Sequence, residues 1–90
     1  MDHLSKYCGR VKTIYGIYHA DILGYIGQTV DLERRQTRHR YPVSREPRAV
    51  DKWIASVGSV EFKVLEKCDW CVAIQREAWW KRKLSPLIRA

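Results

Sequence analysis

The fold of this chain is decided by residues 13–39, TIYGIYHADILGYIGQTVDLERRQTRH. Residues 11–19 are mostly β-branched and aromatic, a composition that favours a β-strand, and residues 23–27 form a second short apolar run. A three-residue turn separates the two runs, so we expect them to pair as an antiparallel hairpin. Gly24 and Gly27 in the second strand allow a bulge or a close approach of the backbone.

A short basic helix is predicted directly after the hairpin. Thr29 can cap a helix over residues 30–40, and two acidic residues in its first turn suit the positive end of the helix dipole. Arg35 and His39 are four residues apart on this helix, so they share one face. The hairpin and the helix together therefore present aromatic and basic side chains.

The remaining chain predicts two more helices and a third strand. Residues 41–47 are a loop, residues 48–57 form a helix with an apolar stripe, and Gly58 ends that helix. Residues 60–67 alternate as a strand does, and residues 70–84 lack Gly and Pro and are predicted to be helical. We expect an α+β fold, with a small three-stranded antiparallel sheet flanked by about three helices.

Length and composition restrict the class of protein. The chain has 90 residues, so we expect one domain over residues 1–90, with a lead-in at 1–10 and a tail at 85–90. There are 17 Lys and Arg against 10 Asp and Glu, a net charge of +7, which favours a polyanionic partner such as nucleic acid. The plain alternative is a basic domain without such a partner.

Localisation is predicted from what the sequence lacks. No apolar run approaches the roughly 18 residues that span a bilayer, and no secretory signal follows Met1. The three cysteines, an odd number, argue against a disulfide framework. We therefore expect no membrane association and a cytoplasmic location, in a bacterial or phage-infected cell.

One acidic residue stands out on the last helix. Its inward stripe is formed by residues at helical spacing, namely Ala73, Glu77, Trp80 and Leu84. A carboxylate on an apolar stripe is costly to bury unless it is paired or binds a metal. Glu77 is therefore a candidate functional residue, and the alternative is a structural ion pair with Arg76 or Lys81.

Five motifs stand in order along residues 13–84: Thr13-Ile14-Tyr15, Tyr25-Ile26-Gly27, Asp31-Leu32-Glu33-Arg34-Arg35, His39 and Arg76-Glu77-Ala78-Trp79-Trp80. In order and spacing this set resembles the GIY-YIG nuclease domain family. The literal letters GIY occur at residues 16–18, but the family's spacing to Tyr25 fits Tyr15 better, with nine residues between the two triplets. Tyr15 and Tyr18 are three apart and face opposite sides of a regular strand, so we prefer Tyr15 for the site.

The resemblance implies a metal-dependent endonuclease that hydrolyses phosphodiester bonds of DNA. It implies the following catalytic residues: Tyr15, Tyr25, Arg35, His39 and Glu77. Glu77 would also hold one divalent metal, Mg²⁺ or Mn²⁺. The residues expected to contact DNA are Arg34, Arg35, Arg38 and Tyr18. Each has a structural alternative, namely sheet packing for the tyrosines, a solvated helix face for the arginines and interaction with the helix dipole for His39.

The residue types suit this chemistry. Tyrosine has a pKa of about 10, so it is a poor base at neutral pH unless nearby cations such as Arg35 and the metal favour the phenolate. The planar fork of Arg35 can bind a phosphate. Mg²⁺ usually takes one or two carboxylates and keeps several waters, which suits Glu77 together with phosphate oxygens.

Several features leave alternatives open. The loop after the first helix lacks a histidine that some family members carry, and the asparagine common after the last helix is missing, so the positioning of the substrate stays open. The alternatives to a duplex nuclease are a non-catalytic nucleic-acid-binding module that keeps the fold and the basic face, or a single-strand-specific nuclease. A less favoured cofactor is structural Zn²⁺ held by Cys8, Cys68 and Cys71, with His3 as a fourth ligand. No length remains for a recognition domain, so a homodimer or a partner protein is expected to supply sequence specificity. A phage, mobile-element or bacterial-housekeeping nuclease fits these features.

Overall fold

The computed structural model describes residues 10–41 and 48–88. These residues form a three-stranded antiparallel sheet in the order β2-β1-β3, with β1 at Val11–His19, β2 at Ile22–Thr29 and β3 at Glu61–Asp69. In the same residues, the sheet is accompanied by three α-helices, which are α1 (Leu32–Arg40), α2 (Ala49–Val57) and α3 (Ala73–Leu84). The α+β fold predicted from the sequence is confirmed.

The β1–β2 hairpin closes through a two-residue turn. Ala20 and Asp21 have φ angles of +47° and +68°, the left-handed conformation that a type I′ turn requires at both central positions. Strand β2 begins earlier, at Ile22, and ends later, at Thr29, than the predicted range of 23–27. The pairing of β2 with β1 is interrupted at Gly24, because Ile17 pairs with Tyr25 and the next residue of β1 pairs with Leu23. The glycine is therefore the extra residue of a β-bulge, as the sequence allowed.

The third strand contains a second bulge. Ile14 pairs with Glu66 and Tyr15 pairs with Val64, which leaves Leu65 as the extra residue in β3. This bulge explains why two adjacent apolar residues interrupt the alternation of the strand. Val64 is exposed whereas Leu65 is half-buried. The strand also begins and ends slightly later than the predicted range of 60–67.

The predicted cap of α1 is wrong. Asp31, not Thr29, is the N-cap, since its Oδ1 accepts a hydrogen bond of 3.0 Å from the Arg34 N–H. The Thr29 hydroxyl instead pairs with the backbone of Asp31 at 3.2 Å, and Thr29 is the last residue of β2. Strand pairing extends to Thr29, which removes it from the cap position. The helix ends at Arg40, as predicted.

The second helix is held at both ends. Its N-cap is Arg48, whose backbone N–H donates to Asp51 Oδ2 at 3.2 Å in a capping box. Gly58, with φ of +86°, ends the helix as predicted. The greater part of the predicted loop, residues 42–47, lies outside the described residues, as do 1–9 of the lead-in and 89–90 of the tail.

The last helix is shorter than predicted. Its first three residues form a 3₁₀ turn, Trp70–Val72, and the α-helix begins at Ala73. Ala73 is buried, but Leu84 is 37% exposed and therefore does not continue the inward stripe. Helix α3 lies against β1 and β2.

The core cluster lies between the sheet and α2. It consists of Tyr15, Ile17, Tyr25, Val50 and Ile54. Ile88 packs against this cluster, and its N–H donates to the Gly24 carbonyl at 2.8 Å. The described part of the predicted tail is thus docked on β2. Within residues 10–41 and 48–88, no helix has the length and apolar character to cross a membrane.

Candidate active site

An aromatic cluster occupies the face of the sheet that carries Tyr15. The Tyr15 side chain is fully buried, and its Oη lies 3.0 Å from Nε2 of His39. The ring centroid of Tyr25 lies 6.4 Å from that of Tyr15 and 5.8 Å from that of His39. Phe62 from β3 completes the cluster at 6.0 Å from Tyr15. The structure therefore brings together three predicted site residues, Tyr15, Tyr25 and His39.

Gly27 makes the position of Tyr15 possible. The two residues are cross-strand partners, and a Cβ at position 27 would lie 2.5 Å from Tyr15 Oη and 2.7 Å from its Cζ. Real Cβ atoms do not approach other atoms so closely. The glycine of the second triplet thus provides the space that the tyrosine of the first triplet fills.

His39 is held from the other side by α2. Its Nδ1 lies 3.1 Å from Asp51 Oδ1, and the two side chains are 4% and 10% exposed. Tyr15, His39 and Asp51 therefore form one continuous hydrogen-bonded chain from β1 through α1 to α2. Asp51 was missed from the sequence, where an acidic residue in the first turn of a helix indicates only a favourable interaction with the helix dipole.

Tyr25 has a cationic partner that sequence reasoning also missed. Nη2 of Arg48 donates a hydrogen bond of 3.0 Å to the Tyr25 hydroxyl, and the guanidinium lies 5.7 Å from the centroid of the ring. Arg48 immediately follows the predicted loop that lacked a histidine. The signal that could have found it is its place at the N-cap of α2, which directs it towards the hairpin only once the fold is known.

Arg35 and Glu77 contribute charge to the site. Arg35 is half-buried on α1, and its charge acts to lower the pKa of both Tyr15 and His39. Burial is the main cause of the raised pKa of Tyr15, and Glu77 on α3 adds a smaller effect in the same direction. Its Oε2 also pairs with Lys81 Nζ at 3.0 Å. That pair is one of the two alternatives the sequence left open, and Arg76 pairs elsewhere.

The protonation states of the cluster follow from its burial. Burial, followed by the neighbouring Tyr25, raises the pKa of Tyr15, and these effects outweigh the opposing charges of Arg35 and Arg48. The protein by itself therefore does not favour the phenolate, although Arg35 lies nearby. Burial also lowers the pKa of His39, although Asp51 opposes the shift. The imidazole is accordingly neutral at pH 7 and available as a proton acceptor.

The residues predicted to contact DNA include two exposed arginines on α1 and Tyr18 on β1. Arg34 and Arg38 are exposed on α1 and line a groove with Thr37 and Tyr41. Among the described residues no carboxylate forms an ion pair with either arginine, so both charges remain available to a polyanion. Tyr18 is not part of the cluster, and Lys63 Nζ lies 4.8 Å from the centroid of its ring.

The acidic residues restrict which metals the site can hold. No group of three His, Cys, Asp or Glu residues that could hold a metal ion occurs within residues 10–41 and 48–88. Glu77 is 20% exposed and is a single carboxylate, a donor set that suits Mg²⁺ completed by water and phosphate oxygens. For the zinc alternative, Cys68 is a half-buried free thiol whose pKa is raised by burial, whereas Cys71 is disulfide-bonded and is therefore not available as a zinc ligand. The odd number of cysteines argued against disulfides, and for Cys71 that expectation is wrong. Cys8 and His3 lie outside the described residues.

Comparisons of the chain with protein-family models, curated proteins and solved structures find no match. The functional interpretation therefore rests on the motifs of the sequence and on the geometry of the cluster.

Proposed function

We propose that the chain is a metal-dependent endonuclease of the GIY-YIG type that hydrolyses phosphodiester bonds of DNA. The observation that carries the proposal is the 3.0 Å contact between Tyr15 Oη and His39 Nε2, next to Tyr25 and within the field of Arg35. A hydroxyl beside a neutral imidazole is an arrangement that can remove a proton from water. The basic face of α1 supports a nucleic-acid substrate.

In the proposed reaction, water attacks phosphorus while the bond to the leaving oxygen breaks. Tyr15 accepts a proton from the attacking water as its own proton passes to His39, so a buried phenolate need not form beforehand. Arg35 binds the phosphoryl oxygens through its planar guanidinium. Glu77 would hold Mg²⁺, which when bound stabilises negative charge on the phosphate and on the leaving oxygen.

Two further observations favour a second candidate, a non-catalytic nucleic-acid-binding module on the same fold. Tyr15 is fully buried, and the carboxylate of Glu77 is already paired with Lys81. In this alternative the buried cluster only stabilises the fold, and the exposed arginines of α1 bind nucleic acid. The two candidates differ in whether the bound strand is cut.

The test incubates the protein with supercoiled plasmid, linear duplex, single-stranded DNA and RNA, in Mg²⁺, Mn²⁺ or EDTA. We expect cleavage of DNA in either metal and none in EDTA, with Glu77→Ala and Arg35→Ala each slowing cleavage by about 100-fold or more. Glu61→Ala is the matched control, because it removes an exposed carboxylate on β3. This variant should cleave at the wild-type rate.

Binding measured without metal separates the two candidates. Arg38→Ala should reduce the slope of log affinity against log salt by about 1, because one phosphate contact is lost. A wild-type protein that binds DNA with this salt dependence but cleaves no substrate supports the binding module. Cleavage that is equal in wild type and Glu77→Ala contradicts the nuclease proposal.

A further inference from the structure

Asp51 uses its two carboxylate oxygens for different purposes. Oδ2 accepts the hydrogen bond from the Arg48 N–H that caps α2, at 3.2 Å. Oδ1 lies 3.1 Å from His39 Nδ1. Capping requires only one oxygen, as Asp31 demonstrates at the start of α1, where Oδ1 alone accepts from the Arg34 N–H. The contact with His39 is therefore additional to the capping role.

The contact decides where His39 carries its proton. An ionised carboxylate can only accept hydrogen bonds, so Nδ1 must be the donor and must hold the proton. In a neutral imidazole, Nε2 is then an acceptor, and the hydrogen in the 3.0 Å contact with Tyr15 belongs to the tyrosine hydroxyl. The lone pairs of Tyr15 Oη are left available to another donor.

We propose that Asp51 is a positioning residue that holds His39 in the Nδ1-protonated tautomer, with Nε2 directed at the Tyr15 hydroxyl. Its contribution to cleavage rests on the proposed nuclease function. In the step concerned, the O–H bond of water breaks and its proton moves to Tyr15 Oη. The Tyr15 proton moves to His39 Nε2, and the resulting imidazolium is stabilised by the adjacent carboxylate.

Among the described residues around His39, only Asp51 can hold the ring in the Nδ1-protonated tautomer. Its ring is packed by the rings of Tyr15, Tyr25 and Phe62. The remaining charges that act on it are those of Arg35 and Arg48, both of which disfavour the imidazolium. Among the described residues, Asp51 is thus the partner that opposes them and the only carboxylate that hydrogen-bonds to the ring.

Asp51→Asn is the informative substitution, because the Arg48 N–H constrains how the new amide can lie. If its carbonyl oxygen continues to cap Arg48, its NH₂ group faces His39 and donates to Nδ1. The ring then carries its proton on Nε2, which donates to Tyr15 and cannot accept from it. Asp31→Asn is the matched control, since it makes the same chemical change at a helix cap that has no histidine partner.

The first measurement needs no substrate. Long-range ¹H–¹⁵N NMR spectra of the His39 ring should show the Nδ1-protonated tautomer in wild type and in Asp31→Asn, and the Nε2-protonated tautomer in Asp51→Asn. The second measurement is cleavage. Asp51→Asn should lower kcat by about 10²- to 10⁴-fold while DNA affinity stays within about twofold, because Asp51 assists proton transfer and does not touch the substrate.

The pH profile provides a third measurement. Asp51 acts to raise the pKa of His39, so this pKa should be lower in Asp51→Asn. The fall in cleavage rate on the acid side should therefore occur at a lower pH in this variant than in wild type. A loss of activity through misfolding would lower the rate without this shift. Thermal unfolding of both asparagine variants establishes that they are folded under the assay conditions.

The outcomes separate the two proposals. If wild type cleaves DNA while Asp51→Asn keeps the wild-type tautomer and a rate within about threefold, the role of Asp51 is wrong and the nuclease proposal stands. If wild type shows the Nδ1-protonated tautomer but cleaves no nucleic acid, the nuclease proposal fails and the catalytic role of Asp51 fails with it.

Discussion

The substitution Gly27→Ala tests the close contact on which the candidate site depends. A Cβ at this position would lie 2.5 Å from Tyr15 Oη, 2.7 Å from Tyr15 Cζ and 2.9 Å from Tyr25 Cε2. Tyr15 is fully buried and cannot move aside without disturbing the core. Overpacking of this kind costs about 1–3 kcal/mol, and losing the hydrogen bond to His39 costs about 1–3 kcal/mol more if its partner stays buried.

Part of this cost is offset in the unfolded chain. Replacing glycine by alanine stabilises a protein by about 0.4–1 kcal/mol where the native backbone permits it, and the φ of Gly27 is not positive. We therefore expect Gly27→Ala to lower the free energy of unfolding by about 1–5 kcal/mol, measured by urea denaturation. Cleavage should fall with it, because the Tyr15–His39 contact is lost.

A control separates the steric clash from the effects of removing a glycine. Gly58→Ala introduces no contact within 4 Å but places alanine at a φ of +86°. It should cost about 1–2 kcal/mol through backbone strain and leave the NMR signals of the His39 ring unchanged. If Gly27→Ala is within 0.5 kcal/mol of wild type, or leaves those signals unchanged, the proposed packing of Tyr15 is wrong.

Two further predictions concern the hairpin turn and Glu66 on the edge strand β3. Ala20 has a φ of +47°, so Ala20→Asn should stabilise the turn by about 0.5–1 kcal/mol and raise Tm by about 4 °C in a thermal scan; an unchanged or lower Tm would contradict the turn assignment. A hydrogen bond from Trp80, together with one from Arg76, lowers the pKa of Glu66 below the ordinary value of a glutamate. The ionised carboxylate therefore stabilises the fold at neutral pH, and this stabilisation is lost as the pH falls through the lowered pKa. Glu66→Gln should thus cost about 1 kcal/mol at pH 6 and approach wild type near pH 3, and an equal difference at both pH values would refute this assignment.

The main elements could be predicted because their signals are local. The β-branched and aromatic run of β1 and the glycine that ends α2 depend on neighbours along the chain, and both were placed correctly. The cap of α1 was misplaced because Thr29 and Asp31 are both good caps. Only the pairing of β2 with β1 out to Thr29 decides between them, and that pairing is not local.

The grouping of candidate site residues could be predicted only where it coincides with the motifs on which the resemblance rests. The grouping of Tyr15, Tyr25 and His39 follows the spacing of the motifs, whereas the roles of Arg48 and Asp51 required the structure. Asp51 lies in the first turn of α2, where capping alone explains an acidic residue, and Arg48 is the N-cap, where the sequence gives its side chain no partner. That this turn lies against the hairpin depends on how α1 and α2 pack, which no short stretch of sequence encodes.

The polar chain through the core bears on the choice between the two proposed functions. A tyrosine hydroxyl, an imidazole and a carboxylate are costly to bury, and each must be satisfied by a partner to avoid a penalty of about 1–3 kcal/mol per group. Among the described residues, no buried side-chain nitrogen or oxygen lacks a partner. Apolar residues of similar volume often stabilise a core as well as such a chain does or better, so fold stability alone gives little reason for it. The proposed nuclease function does give a reason, because a site that accepts a proton next to bound phosphate would use Tyr15, His39 and Asp51 in this order.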